Sequence, residues 1–213
     1  MSSFQIPRFY PILDTTVLAA RNWEAVTAGQ CLLAAGVKIL QYRHKDDWTQ
    51  VNFDEASQLA ALCEKAGVLF VVNDRADFAQ LLKAALHLGQ NDLSPAAARL
   101  VAGDAVIGFS THNEEQLKLG DVEPVEYLSL GPIFATTSKL RPDPVVGVEE
   151  LRRLRLLTGK PLVAIGGITL ANGAEVLSAG ADSLAVISGI LPAQREEESL
   201  RRLTGQWLTL TGP

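Results

Sequence analysis

Short polar clusters recur along this chain, each just after an apolar run, and they hold most of its residues with chemistry to offer. Gln41-Tyr42-Arg43-His44-Lys45 follows Val37–Leu40, Asn73-Asp74-Arg75 follows Val68–Val72, and Gly89-Gln90-Asn91-Asp92 follows Ala85–Leu88. Ser110-Thr111 closes the run from Val106, Thr136-Thr137-Ser138-Lys139 comes after Tyr127–Gly131, and Gly166-Gly167 comes after Leu162–Ile165. Asp74 and Asp92 end neighbouring runs. Two carboxylates plus substrate phosphate oxygens suit Mg²⁺, a hard cation that usually keeps several waters. Each Asp could instead cap the helix that follows it.

Arg43 and Lys45 alternate at the end of one run, which predicts that both point to the same side. Lys139 arrives from a distant loop. Three cations meeting in a chain of net charge −5 point to a polyphosphate ligand, Arg as a bidentate partner and Lys as a point charge. Asn73, Ser110, Thr136 and Ser138 add neutral donors. Gly166-Gly167 and Val186-Ile187-Ser188-Gly189 end the seventh and eighth runs, where glycine lets backbone N–H groups approach a phosphate. The histidines offer less. His44 lies between two cations, His87 sits inside an apolar run, and His112 stands at a strand–helix turn beside Asn113. A structural or capping role is expected of each, and no GxSxG, HExxH or Cys–His pattern supports a covalent nucleophile.

The clusters need elements that bring them together. Strand candidates begin near Phe9, Val37, Leu69, Ala85, Val106, Tyr127, Pro161 and Ser183, nearly continuous in apolar residues, as strands covered on both faces are. Helical patterns intervene at Trp23–Ala35, Phe53–Ala66, Val148–Leu157 and Asn172–Ala179, with Gly36, Gly67 and Gly180 just past three of them. Arg152, Arg153 and Arg155 are expected to face outward. Glu196–Glu198 followed by Arg201-Arg202 predicts a solvated terminal helix face with i, i+4 pairs. Eight such units predict an α/β fold, a single (β/α)8 barrel (TIM barrel) over residues 1–213, ahead of a doubly wound sheet. In either architecture the polar ends of the strands meet at one face.

An apolar fraction of 47% is ample for a core. Apolar runs of about five residues fall far short of the ~20 that span a bilayer, so no membrane association is expected. The first residues show no secretory pattern, and a cytoplasmic location is expected. The acidic balance argues against nucleic acid. Cys31 and Cys63 lie in helical apolar patterns and read as buried free thiols.

In this order the clusters resemble those of the thiamine phosphate synthase family. The matching residues are Gln41/Arg43/Lys45, Asn73/Asp74/Arg75, His87/Gly89/Gln90/Asp92, Gly108/Ser110/Thr111/His112, Gly131/Pro132/Thr136/Ser138/Lys139, Gly166/Gly167/Ile168 and Val186/Ser188. They extend over about Tyr10 to Leu191. The resemblance implies a (β/α)8 barrel and a transferase. It would join 4-amino-2-methyl-5-hydroxymethylpyrimidine diphosphate to 4-methyl-5-(2-hydroxyethyl)thiazole phosphate, releasing pyrophosphate. It implies Asp74 and Asp92 as Mg²⁺ ligands and Arg43, Lys45, Ser110 and Lys139 as catalytic groups. These four also bind the pyrimidine diphosphate, together with Asn73, and Gln41 lies near the pyrimidine. Thr136, Ser138, Gly167, Ile187 and Ser188 receive the thiazole phosphate. Ala135 replaces the family's usual Pro, Ser138 its usual Thr, and His44 a frequent acidic residue, so a looser loop is expected around Ala135. The competing expectations are an isomerase like the thiazole tautomerases of the same fold and a non-catalytic thiamine phosphate-binding regulator. Small-molecule partners are expected, and homo-oligomerisation is left open.

Overall fold

A computed structural model describes residues 4–136 and 143–212. Eight strands, β1 (Phe9–Asp14), β2 (Ile39–Arg43), β3 (Leu69–Asn73), β4 (Ala85–Leu88), β5 (Ile107–Thr111), β6 (Tyr127–Leu130), β7 (Leu162–Ile165) and β8 (Ser183–Val186), close into a barrel in sequence order. Every neighbouring pair is parallel, including the closing pair β1–β8. The expected eight-stranded parallel barrel is therefore the observed one. Each strand candidate lies within about two residues of an observed strand, which is ordinary scatter for element ends.

The helices between strands are α1 (Thr15–Ala20), α2 (Ala25–Ala35), α3 (Gln50–Ala66), α4 (Ala76–Leu81), α5 (Pro95–Ala102), α6 (Glu114–Val122), α7 (Val148–Leu154) and α8 (Gly173–Ser178), with α9 (Glu197–Thr211) last. Helix α3 opens on a capping box between Thr49 and Asn52, and α2 and α3 both end on a left-handed glycine, Gly36 and Gly67. Arg201 pairs with Glu197 at 2.8 Å, the expected i, i+4 contact. Arg155 differs from expectation. Its guanidinium turns inward to the carbonyls of Thr158 (2.9 Å) and Lys160 (3.2 Å), because the 3₁₀ turn Arg155–Leu157 ends α7 and needs a donor for the open carbonyls beyond it. Cys31 and Cys63 are buried and free.

Two apolar cores follow from the period of two along each strand. Leu13, Leu40, Val72, Leu86, Leu128, Ala164 and Leu184 face the helix shell. Tyr10, Ile12, Ile39, Val71, Ala85, Tyr127, Val163 and Ala185 fill the barrel interior. Continuing the same alternation toward the strand ends brings polar side chains inward: Gln41, Asn73, His87, Ser110 and Ser129. The interior is thus apolar at its base and polar at its mouth. Helix α9 anchors this mouth from outside. Trp207 is fully buried, stacks on Phe9 with ring centroids 5.5 Å apart, and donates from Nε1 to Gly189 O at 3.1 Å. None of the described helices is long and apolar enough to cross a membrane.

Candidate active site

Asp74 follows β3 with φ +67°, a left-handed conformation that Asp tolerates better than most side chains. Its backbone N–H donates to His87 O at 2.8 Å, which ties the end of β3 to β4. Asp92 lies in the next turn, where Oδ2 accepts from Gly89 N at 2.7 Å. Neither carboxylate caps a helix. The cap of α4 is Arg75, with no side-chain bond, and α5 is capped by Ser94, whose Oγ accepts from Ala97 N. The Asp92 carboxyl lies beside that of Asp74, and the acid of Asp74 is pushed up to about 6. Burial is the larger cause and the Asp92 carboxyl the second, with Lys45 opposing both.

Two half-buried carboxyls side by side repel one another, which favours a shared proton or a shared cation. Its hard oxygen donors fit Mg²⁺. Among the described residues no cluster of three or more His, Cys, Asp or Glu could hold a metal. The remaining ligands would therefore be water and substrate oxygens, the usual arrangement for Mg²⁺ at a phosphate site.

The cations around this pair diverge. Strand β2 stops at Arg43, so the alternation that would align Arg43 with Lys45 does not reach Lys45. Arg43 turns to the buried carboxylate of Asp14 at the end of β1, and Lys45 Nζ lies 2.5 Å from Asp74 Oδ2 at the end of β3. Asp14 also caps α1 by accepting from Val17 N at 3.0 Å. Asn73 is buried, and its Nδ2 has no protein acceptor among the described residues. Arg75 leaves the mouth: it pairs with Asp77 and lies 3.8 Å over the Phe78 ring.

Inside the barrel a chain of side chains joins Gln41 to Ser110. Gln41 Nε2 donates to Tyr10 Oη at 2.8 Å, and Tyr10 Oη lies 2.9 Å from Tyr127 Oη. Tyr127 Oη is 3.0 Å from His87 Nδ1, and His87 Nε2 is 2.9 Å from Ser110 Oγ. His44 instead faces Thr15, with Nδ1 2.8 Å from its Oγ1. His112 bridges to Gly131 O at 2.6 Å, while the cap of α6 is Asn113.

The ends of β6, β7 and β8 are built from backbone. Gly166 and Gly167 have φ of +98° and +65°. A Cβ on Gly166 would sit 2.5 Å from Pro132 Cβ, and one on Gly167 2.6 Å from Ala135 O. The reason is the loop after β6, which lies directly on this turn: Phe134 N donates to Gly166 O at 3.0 Å. Asn172 Nδ2 takes Gly167 O at 3.1 Å, and Arg21 Nη1 takes Ser188 O at 2.9 Å. A peptide N–H points opposite to the carbonyl of its own unit. With the Gly166 and Ser188 carbonyls held by the scaffold, the N–H groups of Gly167 and Gly189 turn away from it. Ile187 is half-buried, Ser188 exposed, and Thr136 half-buried at the facing loop. Ser138 and Lys139 lie outside the described residues.

The sequence reading passed over Tyr10, Asp14, Arg21 and Tyr127. Tyr10 and Tyr127 lie within apolar runs, outside the polar clusters. Asp14 ends β1. Only its place opposite Arg43 across the β1–β2 pair could have marked it.

Residues 9–190 match the family model for thiamine monophosphate synthase. A thiamine-phosphate synthase of Koribacter versatilis is 46% identical over 208 residues, 95% of this chain and 98% of that protein. One of Chloroflexus aurantiacus is 37% identical over 197 residues, covering 92% and 90%. The solved thiamine phosphate pyrophosphorylase of Pyrococcus furiosus superposes with a TM-score of 0.82 at 29% identity, covering 96% of this chain and 95% of that one.

Proposed function

We propose, from the premise that the chain belongs to the thiamine monophosphate synthase family, that it is a thiamine-phosphate synthase whose two substrates meet at the barrel mouth. One is 4-amino-2-methyl-5-hydroxymethylpyrimidine diphosphate, the other 4-methyl-5-(2-hydroxyethyl)thiazole phosphate. The observation that carries this reading is the half-buried Asp74–Asp92 pair with Lys45 on Asp74, a site suited to the positive charge and oxygen ligands that a metal-bound diphosphate brings.

Asp74 and Asp92 would hold Mg²⁺, which when bound neutralises charge on the diphosphate and orients it. Lys45, Arg43 and Lys139 add positive charge to the leaving pyrophosphate, and Asn73 offers a buried donor. The bond from the pyrimidine methylene carbon to the diphosphate oxygen breaks, and its electron pair leaves with pyrophosphate. The electron-rich aminopyrimidine stabilises the cationic methylene. The neutral thiazole nitrogen donates its lone pair to that carbon, and no proton is released. No general base is needed, so the contributions asked of the chain are charge neutralisation and alignment. Gly167, Ile187 and Ser188, together with Thr136 and Ser138, would receive the thiazole phosphate through N–H and hydroxyl donors.

The test is turnover of the two substrates with Mg²⁺, followed by release of pyrophosphate. Release that requires both substrates and stops with a chelator is the expected result. A folded chain that binds thiamine phosphate without turnover would make it a regulator. Conversion of a thiazole substrate alone would make it an isomerase.

A further inference from the structure

We propose that His87 is a positioning residue that carries its ring proton on Nε2, donates to Ser110, and so leaves the Ser110 O–H to be given to the pyrimidine substrate. The inference rests on the function proposed above for its ligand, and on the barrel interior alone for its direction.

The direction follows from proton counting. An amide nitrogen only donates, so Tyr10 Oη accepts from Gln41 Nε2. A phenol has one proton, and that of Tyr10 goes to Tyr127 Oη, 2.9 Å away. Tyr127 then gives its own proton to His87 Nδ1, which must be bare. The ring proton is left on Nε2, facing Ser110 Oγ at 2.9 Å. Ser110 accepts there. Its hydroxyl proton is free to turn to Ser129 Oγ at 3.2 Å or to a ligand. The opposite order would run from Ser110 through His87 and Tyr127 to Tyr10. With the Gln41 amide placed as it is, Nε2 toward Tyr10, that order leaves the Tyr10 proton without an acceptor among the described residues, on a side chain only 1% exposed. An unmade bond on a buried donor is costly enough to set the direction.

Two further observations hold the relay in place. Burial pushes the Tyr10 and Tyr127 phenols well above their ordinary range, so both keep the proton that the relay passes along. Gly108 makes room for Tyr127: a Cβ there would lie 2.0 Å from Tyr127 Cζ. The same ring stacks on His87 with centroids 5.6 Å apart. A serine hydroxyl fixed as a donor suits an unprotonated ring nitrogen of the pyrimidine. It binds that nitrogen without protonating the ring, and the ring stays electron-rich as pyrophosphate departs.

The experiment is a long-range ¹H–¹⁵N correlation spectrum of the full chain labelled at histidine. The chain has three histidines, and the His87→Asn variant assigns the signals of interest. The expected spectrum shows His87 with a protonated Nε2 and a bare Nδ1. Tyr127→Phe, which removes only the hydroxyl between Tyr10 and His87, should displace the Nδ1 signal. It should also raise the KM for the pyrimidine diphosphate roughly three- to tenfold without changing the Mg²⁺ dependence. If Tyr127→Phe does not fold, Ser110→Ala serves instead and should move the Nε2 signals while leaving Nδ1 in place. A wild-type His87 protonated on Nδ1 or on both nitrogens overturns the relay, as does an Nδ1 signal indifferent to Tyr127→Phe. A displaced Nδ1 with an unmoved KM overturns its service to the ligand. The spectra need no substrate, so absence of turnover would sink the proposed function and leave the relay standing.

Discussion

At the ends of β2 to β5 the barrel mouth is made of side chains that pair and titrate: Arg43 on Asp14, Lys45 on Asp74, Asp74 on Asp92, His87 on Ser110. At the ends of β6 to β8 it is made of backbone, with glycines pressed against the loop after β6 and carbonyls held by Asn172, Arg21 and Trp207. The first half is built to exchange partners, since two neighbouring carboxyls can trade a proton for a cation. The second is built to keep a shape. Proton and metal concentration should therefore act on the first half, and any added Cβ on the second.

The largest effect that would sharpen this contrast comes from Asp92→Asn. The change removes one of two metal-binding carboxylates and leaves a side chain that can still accept from Gly89 N. Turnover should fall about 10²- to 10³-fold, the usual loss for an electrostatic partner of the transition state. The melting temperature should stay within a few degrees, because Asp92 caps no helix. Steady-state pyrophosphate release and thermal melting check this together. An unfolded variant whose folded remainder keeps its rate would make Asp92 a structural residue and blur the distinction between the halves.

Gly167→Ala should act next most strongly, and on the other half. Its φ of +65° is strained for alanine, and the new Cβ would meet Ala135 O at 2.6 Å. A stability loss of about 1–3 kcal/mol is expected. The KM for the thiazole phosphate should rise about tenfold as the N–H groups are displaced, while that for the pyrimidine diphosphate stays put. Denaturant melts and paired KM measurements test it. A variant as stable as wild type with both constants unchanged would show that the turn has slack.

The pH response separates the halves more gently. The Asp74 acid is raised from 3.8 to about 6, so in that window the metal-free fold holds a proton that the unfolded chain has released. Stability from this group is full below the unfolded value and declines as pH rises through about 6. Mg²⁺ favours the ionised pair, so its affinity should rise across the same window and remove the deficit. Urea midpoints of wild type minus Asp74→Asn, at about pH 5 and pH 7.5, with chelator and with Mg²⁺, measure it. A difference independent of pH in both conditions would break the titrating half of the comparison.

These contrasts also mark what the sequence could disclose. The eight strands were legible because both faces of each are covered, which leaves long apolar runs. The order of the polar clusters placed Asp74, Asp92, Gln41 and Ser110 at one end of the barrel before any geometry was known. Partners across strands were not legible. Asp14 meets Arg43, and Tyr10 and Tyr127 meet Gln41 and His87, only through barrel closure and register, and an inward tyrosine looks like core when read along its own strand. The short helices α1, α4, α5 and α6 were missed for a related reason. With six to nine residues each they carry too little periodicity to register, and their packing against neighbouring strands sustains them. Arg155 misled because its position on a helical wheel says nothing about the open carbonyls of the turn that follows.

The smallest effect expected is that of Ser188→Ala, and it tests the backbone half most finely. Ser188 is exposed, and its carbonyl, not its hydroxyl, is the group held by Arg21. Removing the hydroxyl should therefore leave the turn and its N–H groups in place, and stability within about 0.5 kcal/mol. One phosphate contact is lost, so the KM for the thiazole phosphate should rise about three- to tenfold with kcat little altered. The Gly167 variant deforms the turn, whereas this one only trims it. A fall in kcat equal to the fall in kcat/KM would place the hydroxyl in the transition state. An unchanged KM would assign phosphate binding at this strand end to the backbone alone.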